Sequence, residues 1–329
     1  MTEPRLVVGV DLGGTSIVVG TLPEDGSALY GLETQPTPTR DGPDAVVERM
    51  VAMIHRSIAA TRAELGGAVD VAGVGIGAPG PLDTRRGVVI VTPNLGWRDM
   101  PLRDRIADAT GLPATLDNDA NCATLGEWWR GAARNARVVA GITIGTGIGG
   151  GIVLDGRVYH GASDVAAEFG HTTIDVTGRR CKCGNYGCLE AYASGPAIAA
   201  RALEEIEAGV PSSIAGYVGD DPGRVTAHTV YQAANDGDAL ALEIVRDTAR
   251  FLGTGVANIV NILNPEVVVI TGGVTQAGER LFGPLRAEVK RRAFQPAVEA
   301  CRIVPGTLTG TAGVYGAVAA FQVQRWGGV

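Results

Sequence analysis

One feature limits what this chain can fold into more than any other: a strand that enters a glycine-rich turn and comes straight back, found twice. Residues 5–10 read as a buried strand, Asp11-Leu12-Gly13-Gly14-Thr15 as a turn, and 16–22 as the returning strand. From Val138 to Ile144 a second strand runs into Gly145-Thr146-Gly147-Ile148-Gly149-Gly150-Gly151. Ile152 to Leu154 then reads as the return, Asp155-Gly156 as a turn, and Arg157 to Tyr159 as a third strand. Glycines at a hairpin tip let backbone N–H groups converge on an anion, and Thr15 adds a hydroxyl donor. The same residues also make ordinary tight turns. The second turn contains Gly-x-Gly-x-x-Gly with Glu168 downstream, which resembles a dinucleotide fingerprint. That fingerprint must open a helix, and here a strand follows. Each half of the chain begins alike, so we expect two related α/β lobes, each giving a phosphate-binding hairpin to the cleft between them.

A second constraint runs from Glu168-Phe169-Gly170-His171 to Cys181-Lys182-Cys183-Gly184-Asn185-Tyr186-Gly187-Cys188-Leu189-Glu190. It holds three of the five cysteines and one of the four histidines. Three thiolates and an imidazole complete a tetrahedral zinc set, and a site filled by protein ligands is structural. His171, Cys181, Cys183 and Cys188 are therefore the candidate ligands. Gly184 and Gly187 suit the sharp reversal that would aim the thiols at one ion. A loop of free thiols is the alternative. Cys122 and Cys301 are left over without a disulfide framework, and the reducing cytoplasm is the expected compartment.

Between these landmarks the pattern alternates. Pro43 to Gly66 has apolar residues at helical spacing, Val71 to Gly77 is a strand, and 78–83 is a compact turn. Residues 92–97 form another turn, with Asn94 a candidate hydrogen-bonding residue. A helix over 101–110 and a strand over 113–116 lead into Asp117-Asn118-Asp119-Ala120-Asn121 and a helix over 120–133. Ligands collect at the carboxyl ends of strands in α/β sheets, which makes Asp119 a candidate general base and Asn118 a substrate-orienting residue. Helix capping accounts for the same residue types. After the cysteines we expect a helix over 197–208, a polar excursion over 209–228, and a long helix over 238–263 interrupted at Gly253 and Gly255. A strand over 266–270, a turn at Thr271-Gly272-Gly273, a helix over 279–292, a strand over 302–304 and a helix over 313–326 complete the chain. A helix beginning after Gly273 would suit a nucleotide phosphate, and a plain loop fits as well.

At 329 residues the chain is long enough for two cored domains, and a net charge of −7 argues against nucleic acid as a partner. Lys182 and Lys290 are its only lysines. The Gly-Lys-Ser/Thr of a P-loop and the third-strand lysine of a protein kinase therefore have no counterpart. No apolar run reaches the roughly 18 residues of a membrane span, and the lead-in 1–5 carries no signal-peptide pattern.

Asp11-Leu-Gly-Gly-Thr15, Asn118-Asp119, Gly145-Thr-Gly-Ile-Gly-Gly150, Glu168-Phe-Gly-His171 and Cys181-x-Cys183-x4-Cys188-Leu-Glu190 occur in that order. Together they resemble the ROK family (repressors, uncharacterised reading frames and kinases), most closely its bacterial glucokinases. The resemblance spans residue 5 to about 320, with the histidine–cysteine block its most specific part. It implies a two-lobed fold of the actin, sugar-kinase and Hsp70 superfamily, built on duplicated ribonuclease H-like domains with an inserted structural zinc loop. The lobes would be 1–119, completed by a helix at about 313–329, and 120–312. It implies ATP-dependent phosphorylation of glucose at the 6-hydroxyl, with Mg2+ and structural Zn2+. Asp119 would take the hydroxyl proton, and Asn94, Asn118, Glu168, His171 and Glu190 would hold the sugar. Gly13, Gly14, Thr15, Gly145, Thr146 and Gly147 would cradle the phosphates, Gly272 and Gly273 would border the nucleotide, and Asp11 would sit near the magnesium. Small-molecule sugar and ATP would be its partners, with no nucleic acid and no membrane, in a homo-oligomer, dimer or tetramer. Another hexose, an N-acetylhexosamine or a cyclitol would suit the same motifs. A sugar-responsive regulator of the family would carry an added DNA-binding domain, for which the start at residue 5 leaves no room. The chain departs from the family at Gly306-Thr-Leu-Thr-Gly-Thr-Ala-Gly-Val-Tyr315, where its glucokinases often carry an acidic alanine-glycine-leucine run.

Overall fold

The computed structural model describes residues 5–219 and 221–329; Met1 to Pro4, read above for a leader, lie outside them. The chain divides into two compact units. The first comprises Met1–Gly141, Gly151–Ala167 and Gly306–Val329, and the second Ile142–Gly150 and Glu168–Pro305.

The first unit holds β1 (Leu6–Leu12), β2 (Ser16–Pro23), β3 (Tyr30–Pro36), α1 (Pro43–Leu65), β4 (Val71–Ala78), α2 (Leu102–Thr110), β8 (Ala114–Asn118), α3 (Asp119–Trp129) and α10 (Ala312–Trp326). Its main sheet runs β3-β2-β1-β4-β8, antiparallel among the first three strands and parallel from β1 to β8. A small second sheet joins β5 (Leu82–Asp83), β6 (Val88–Thr92) and β7 (Trp97–Met100). Sequence reading missed β3, β6 and β7. β3 is an edge strand with alternate residues exposed, and edge strands carry no apolar run to betray them.

Strand alternation decides what each face of the main sheet meets. Val8, Val10 and Leu12 enter a core with Met50, Met53 and Ile54 of α1, whose helix stops at a left-handed Gly66. Val7 packs in a second core with Val314, Val318 and Phe321 of α10. Gly9 and Gly75 meet the same helix. A Cβ on Gly9 would lie 2.3 Å from Val314 O, and one on Gly75 1.9 Å from Ala317 O, so missing side chains let α10 settle on the sheet. α3 packs on α10 in the same way, and this contact keeps α3 in the first unit. The expected lobe boundary at 119 therefore precedes the observed division, which falls inside the strand β9 (Val138–Ile144). A Cβ on Gly316 would come within 1.6 Å of Cys122 O, backbone against backbone. Gly316→Ala is expected to cost about 3 kcal/mol, read as a lowered urea midpoint, whereas Gly67→Ala, in open space, should change little.

α3 stops at Trp129, short of the expected residue 133. The Glu127 carboxylate accepts from Ala132 N at 2.8 Å and draws the chain off the helical path. The same carboxylate receives Thr307 N at 3.1 Å and Leu308 N at 2.8 Å, which anchors the start of the segment 306–315.

β10 (Ile148–Leu154) and β11 (Arg157–Val158) follow β9. The turn is shorter than the glycine run suggested, because Gly149, Gly150 and Gly151 belong to β10. The second sheet runs β11-β10-β9-β12-β13, with β12 (Val267–Thr271) parallel to β13 (Arg302–Pro305). The second unit also holds α4 (Glu190–Ala193), α5 (Gly195–Glu207), α6 (Ala227–Asn235), α7 (Ala239–Leu263), α8 (Glu279–Arg292) and α9 (Gln295–Ala300). α7 runs unbroken through Gly253 and Gly255. These are close-approach positions: added Cβ atoms would lie 2.6 Å from Glu288 Cβ and 2.6 Å from Leu189 Cδ2. α6 starts on a Thr226–Thr229 capping box that the polar stretch before it concealed. A 3-10 turn over Gly273–Ala277 precedes α8, so no α-helix begins directly after Gly273 as one reading had it. Among the described residues no helix is long and apolar enough to cross a membrane.

Candidate functional site

The parallel register brings the first unit's candidate residues together. Asp11 is level with Gly77, and Gly77 with Asp117, at the carboxyl ends of three adjacent strands. Gly77 has no side chain to fend off α3: a Cβ there would lie 3.2 Å from Cys122 Sγ and 3.5 Å from Asp119 Cα. Asn118, in extended backbone, is the helix cap; its side chain accepts from Ala120 N at 2.9 Å and Asn121 N at 3.1 Å. Asp119 is the first helical residue, with Oδ1 2.8 Å from Ala120 N. The capping alternative thus belongs to Asn118, with Asp119 set just inside the helix.

Asp11 is half-buried, and its burial first, then the Asp119 charge, pushes its carboxyl up to about 7. A Cβ on Gly313 would lie 2.2 Å from Asp11 Oδ2, so the first turn of α10 covers it. The native carboxyl holds its proton up to about pH 7, where an unfolded aspartate loses it near 3.8. The native state therefore binds more protons inside that window, and stability falls as pH rises through it. Asp11→Asn, measured without nucleotide or magnesium, is expected to melt higher than wild type at pH 8 and no higher at pH 4. The gain is bounded by roughly 4 kcal/mol.

In the first glycine turn, Gly13 N meets Ser16 O at 2.9 Å, while Thr37 takes Gly13 O through its hydroxyl at 2.7 Å and Thr15 O through its amide at 3.0 Å. Gly14 and Thr15 are exposed at the tip. Asn94 stands beside that tip: a Cβ on Gly14 would lie 3.7 Å from its own.

In the second unit, His171, Cys181, Cys183 and Cys188 offer four donor atoms all within 4.8 Å of one another. Cys183 Sγ is 3.7 Å from Cys188 Sγ, and Cys181 Sγ is 3.8 Å from His171 Nδ1. A tetrahedral centre with bonds of about 2.3 Å to sulfur separates sulfurs by about 3.8 Å, so the donor set fits zinc in type and spacing. Burial pushes the Cys188 thiol up to about 12 and raises Cys181, whereas a hydrogen bond from the Asn185 amide lowers Cys183. The cluster is compatible with one metal ion among the four donors.

Three contacts join this segment to the second glycine turn. Glu190 Oε2 accepts Ile148 N at 2.9 Å, and Gly195 N donates to Gly145 O at 2.9 Å. A Cβ on Gly170 would lie 2.1 Å from Ile148 O. A Cβ on Gly147 would lie 2.6 Å from Glu190 Oε2, the end of a side chain that could shift. The other Glu190 oxygen lies 3.8 Å from Cys181 Sγ. Glu168 is exposed and follows Ala167, which holds a left-handed φ of 65°.

Gly145, Thr146 and Gly273 share a cavity of about 610 Å³ whose walls include Pro196, Ala199, Leu203, Tyr231 and Val274. Gly272 beside it has φ 99°, and a Cβ would lie 2.0 Å from Ile144 O, so only glycine serves there. Sequence reading missed the apolar walls because Ala199, Leu203 and Tyr231 look like any core residues of a helix. A hollow of about 780 Å³ beside Phe294 contains none of the residues above.

A family model described as the ROK family matches residues 7–324. The chain belongs to the ROK family. This ROK chain is 39% identical over 314 residues to a glucokinase of Halalkalibacterium halodurans, covering 95% of this chain and 93% of that one. It is 39% identical over 327 residues to a glucokinase of Thermotoga maritima, covering 99% of this chain and all of the relative. Among solved structures, a ROK family glucokinase from Streptomyces griseus in complex with glucose and AMPPNP matches with a TM-score of 0.81 at 34% identity, covering 95% of this chain and 98% of that one. The architecture is the α/β sugar-kinase-like one, with mixed sheets and helices.

Proposed function

We propose that this ROK chain transfers the γ-phosphoryl group of ATP to the 6-hydroxyl of glucose, with Asp119 as general base. The observation that carries the role of Asp119 is the β8–α3 junction: Asn118 caps the helix, and Asp119 stands at its first position at the end of a parallel strand. Near-full-length likeness to glucokinases supports the reaction and its substrate. Asp119 takes the proton of the 6-hydroxyl as its oxygen bonds to the γ-phosphorus and the bond to the departing ADP oxygen breaks. The transition state is loose, so positioning and charge neutralisation supply most of the rate.

Gly13, Gly14, Thr15, Gly145, Thr146 and Gly147 offer backbone and hydroxyl donors to the phosphates, a lysine-free solution that suits a chain with two lysines. The apolar cavity beside Gly145 and Gly273 suits a nucleobase. Magnesium bound with the nucleotide would supply positive charge, and we assign Asp11, whose carboxyl is raised to about 7, to that side of the site. Asn94, Asn118, Glu168, His171 and Glu190 read the sugar hydroxyls. His171 and the three cysteines hold structural zinc. The four donors leave no open position, so the ion braces the loop and takes no part in the transfer. His171 Nδ1 faces the thiols, which leaves Nε2 for a sugar oxygen. We assign the two units to duplicated ribonuclease H-like lobes, and the chain to a cytoplasmic homo-oligomer.

ADP release measured across glucose, other hexoses, N-acetylhexosamines and cyclitols tests the assignment. Glucose should give the highest kcat/KM; a stronger preference for another acceptor, or no ADP with any, overturns it.

A further inference from the structure

His160 lies just beyond β11, distant in sequence from Asp119, yet its Nε2 meets Asp117 Oδ2 at 2.8 Å. Asp117 is 2% exposed. Its other oxygen accepts from Asn118 N at 2.8 Å and from Asn121 Nδ2 at 3.3 Å. One buried carboxylate thus holds the histidine on one side and the backbone and first turn of the β8–α3 junction on the other. Gln324 of α10 adds a longer contact of 3.4 Å to Oδ2. A buried carboxylate needs firm partners, and removing one leaves an uncompensated charge.

The histidine's backbone is held as well, its carbonyl accepting from Ala166 N at 3.2 Å. Asp164, four residues on, accepts from Thr84 N and Thr84 Oγ1, both at 2.9 Å, and holds a left-handed φ of 58°. Ordered, strained backbone of this kind persists where surrounding contacts fix it.

We propose that His160 is a positioning residue for phosphoryl transfer: through Asp117 it fixes the junction that presents Asn118 and Asp119 to the sugar hydroxyl. This rests on the reading of Asp119 as the base. The hydrogen bond to Asp117, against burial and with help from the Asp164 charge, raises the imidazole above its ordinary range. The other titratable groups nearby are Cys122, whose buried thiol feels the charges of Asp117, Asp11 and Asp119, and Asp11, which feels that of Asp119. A protonated imidazole gives Asp117 a charged partner, and its loss with rising pH leaves a neutral one.

The test compares His160→Ala and His160→Gln with wild type, as kcat and KM for glucose and ATP across pH, beside thermal melts. Gln can donate from its amide where the imidazole Nε2 donates. His160→Ala is expected to lower kcat on the order of tenfold to a hundredfold, with both KM values little moved. His160→Gln should recover most of that loss and erase the inflection that His160 gives to the wild-type pH profile. Unchanged kcat in His160→Ala overturns the inference. So does a loss that tracks the melting temperature and is not rescued by Gln, which marks a merely structural role. Wild type inactive on every sugar sinks the kinase reading instead. A crystal structure of His160→Ala then decides the positioning: Asn118 and Asp119 in unchanged places overturn it, and their displacement supports it.

Discussion

Asp119→Asn is expected to bind glucose and fail to phosphorylate it. Asparagine keeps the volume and an oxygen for Ala120 N, and Asn118 still caps α3, so the helix start survives the change. What is lost is a group able to take the hydroxyl proton. A positioned general base contributes on the order of 10² to 10⁴ in rate, so kcat should fall by that much while calorimetry finds glucose affinity nearly intact. Removing the Asp119 charge also relieves Asp11, whose carboxyl that charge pushes upward. Melting at pH 8 should therefore hold or rise. Activity within tenfold of wild type would refute the assignment of the base. Loss of glucose binding in a folded variant would make Asp119 a binding residue only.

How much of this was legible in the sequence depends on how local the physics is. The glycine hairpins and the cysteine block announce themselves, because a turn or a tetrahedral donor set needs particular residues at fixed short spacing. Asn118 and Asp119 were legible as a pair, but their roles were not, since capping and catalysis favour the same side chains. The backbone of the junction assigns the cap to Asn118 and puts Asp119 at the first helical position. His160 carried no signal at all: a lone loop histidine acquires meaning from Asp117, which the fold brings to it. Gly253 and Gly255 misled for a related reason. In sequence they resemble helix breaks, whereas in α7 they admit Glu288 and Leu189 at distances no side chain would allow. Helix propensity gives way there to packing.

Removing the zinc proposed at His171, Cys181, Cys183 and Cys188 is expected to cost more than the order of that loop. Between Thr172 and Cys188 the chain has no helix and only two isolated bridges, Thr173–Cys188 and Arg180–Tyr186, so a bound ion would supply much of its order. Glu190 then transmits the loss, with one oxygen on Ile148 N and the other near Cys181 Sγ. The same loosening should reach the glycine turn at 145–148, through Glu190, through Gly195 on Gly145 O, and through Gly170 against Ile148. Cys183→Ser is the variant of choice, because Cys183 is exposed and its loss leaves no buried hole. It should purify without stoichiometric zinc and exchange amide hydrogens faster over both 168–190 and 145–148. Glucose should bind it about tenfold to a hundredfold more weakly. Nucleotide affinity should fall as well, which a brace confined to the sugar side would not produce. Protection unchanged at 145–148 in a zinc-free protein would confine the metal to its own loop, and unchanged glucose affinity would remove it from the site altogether.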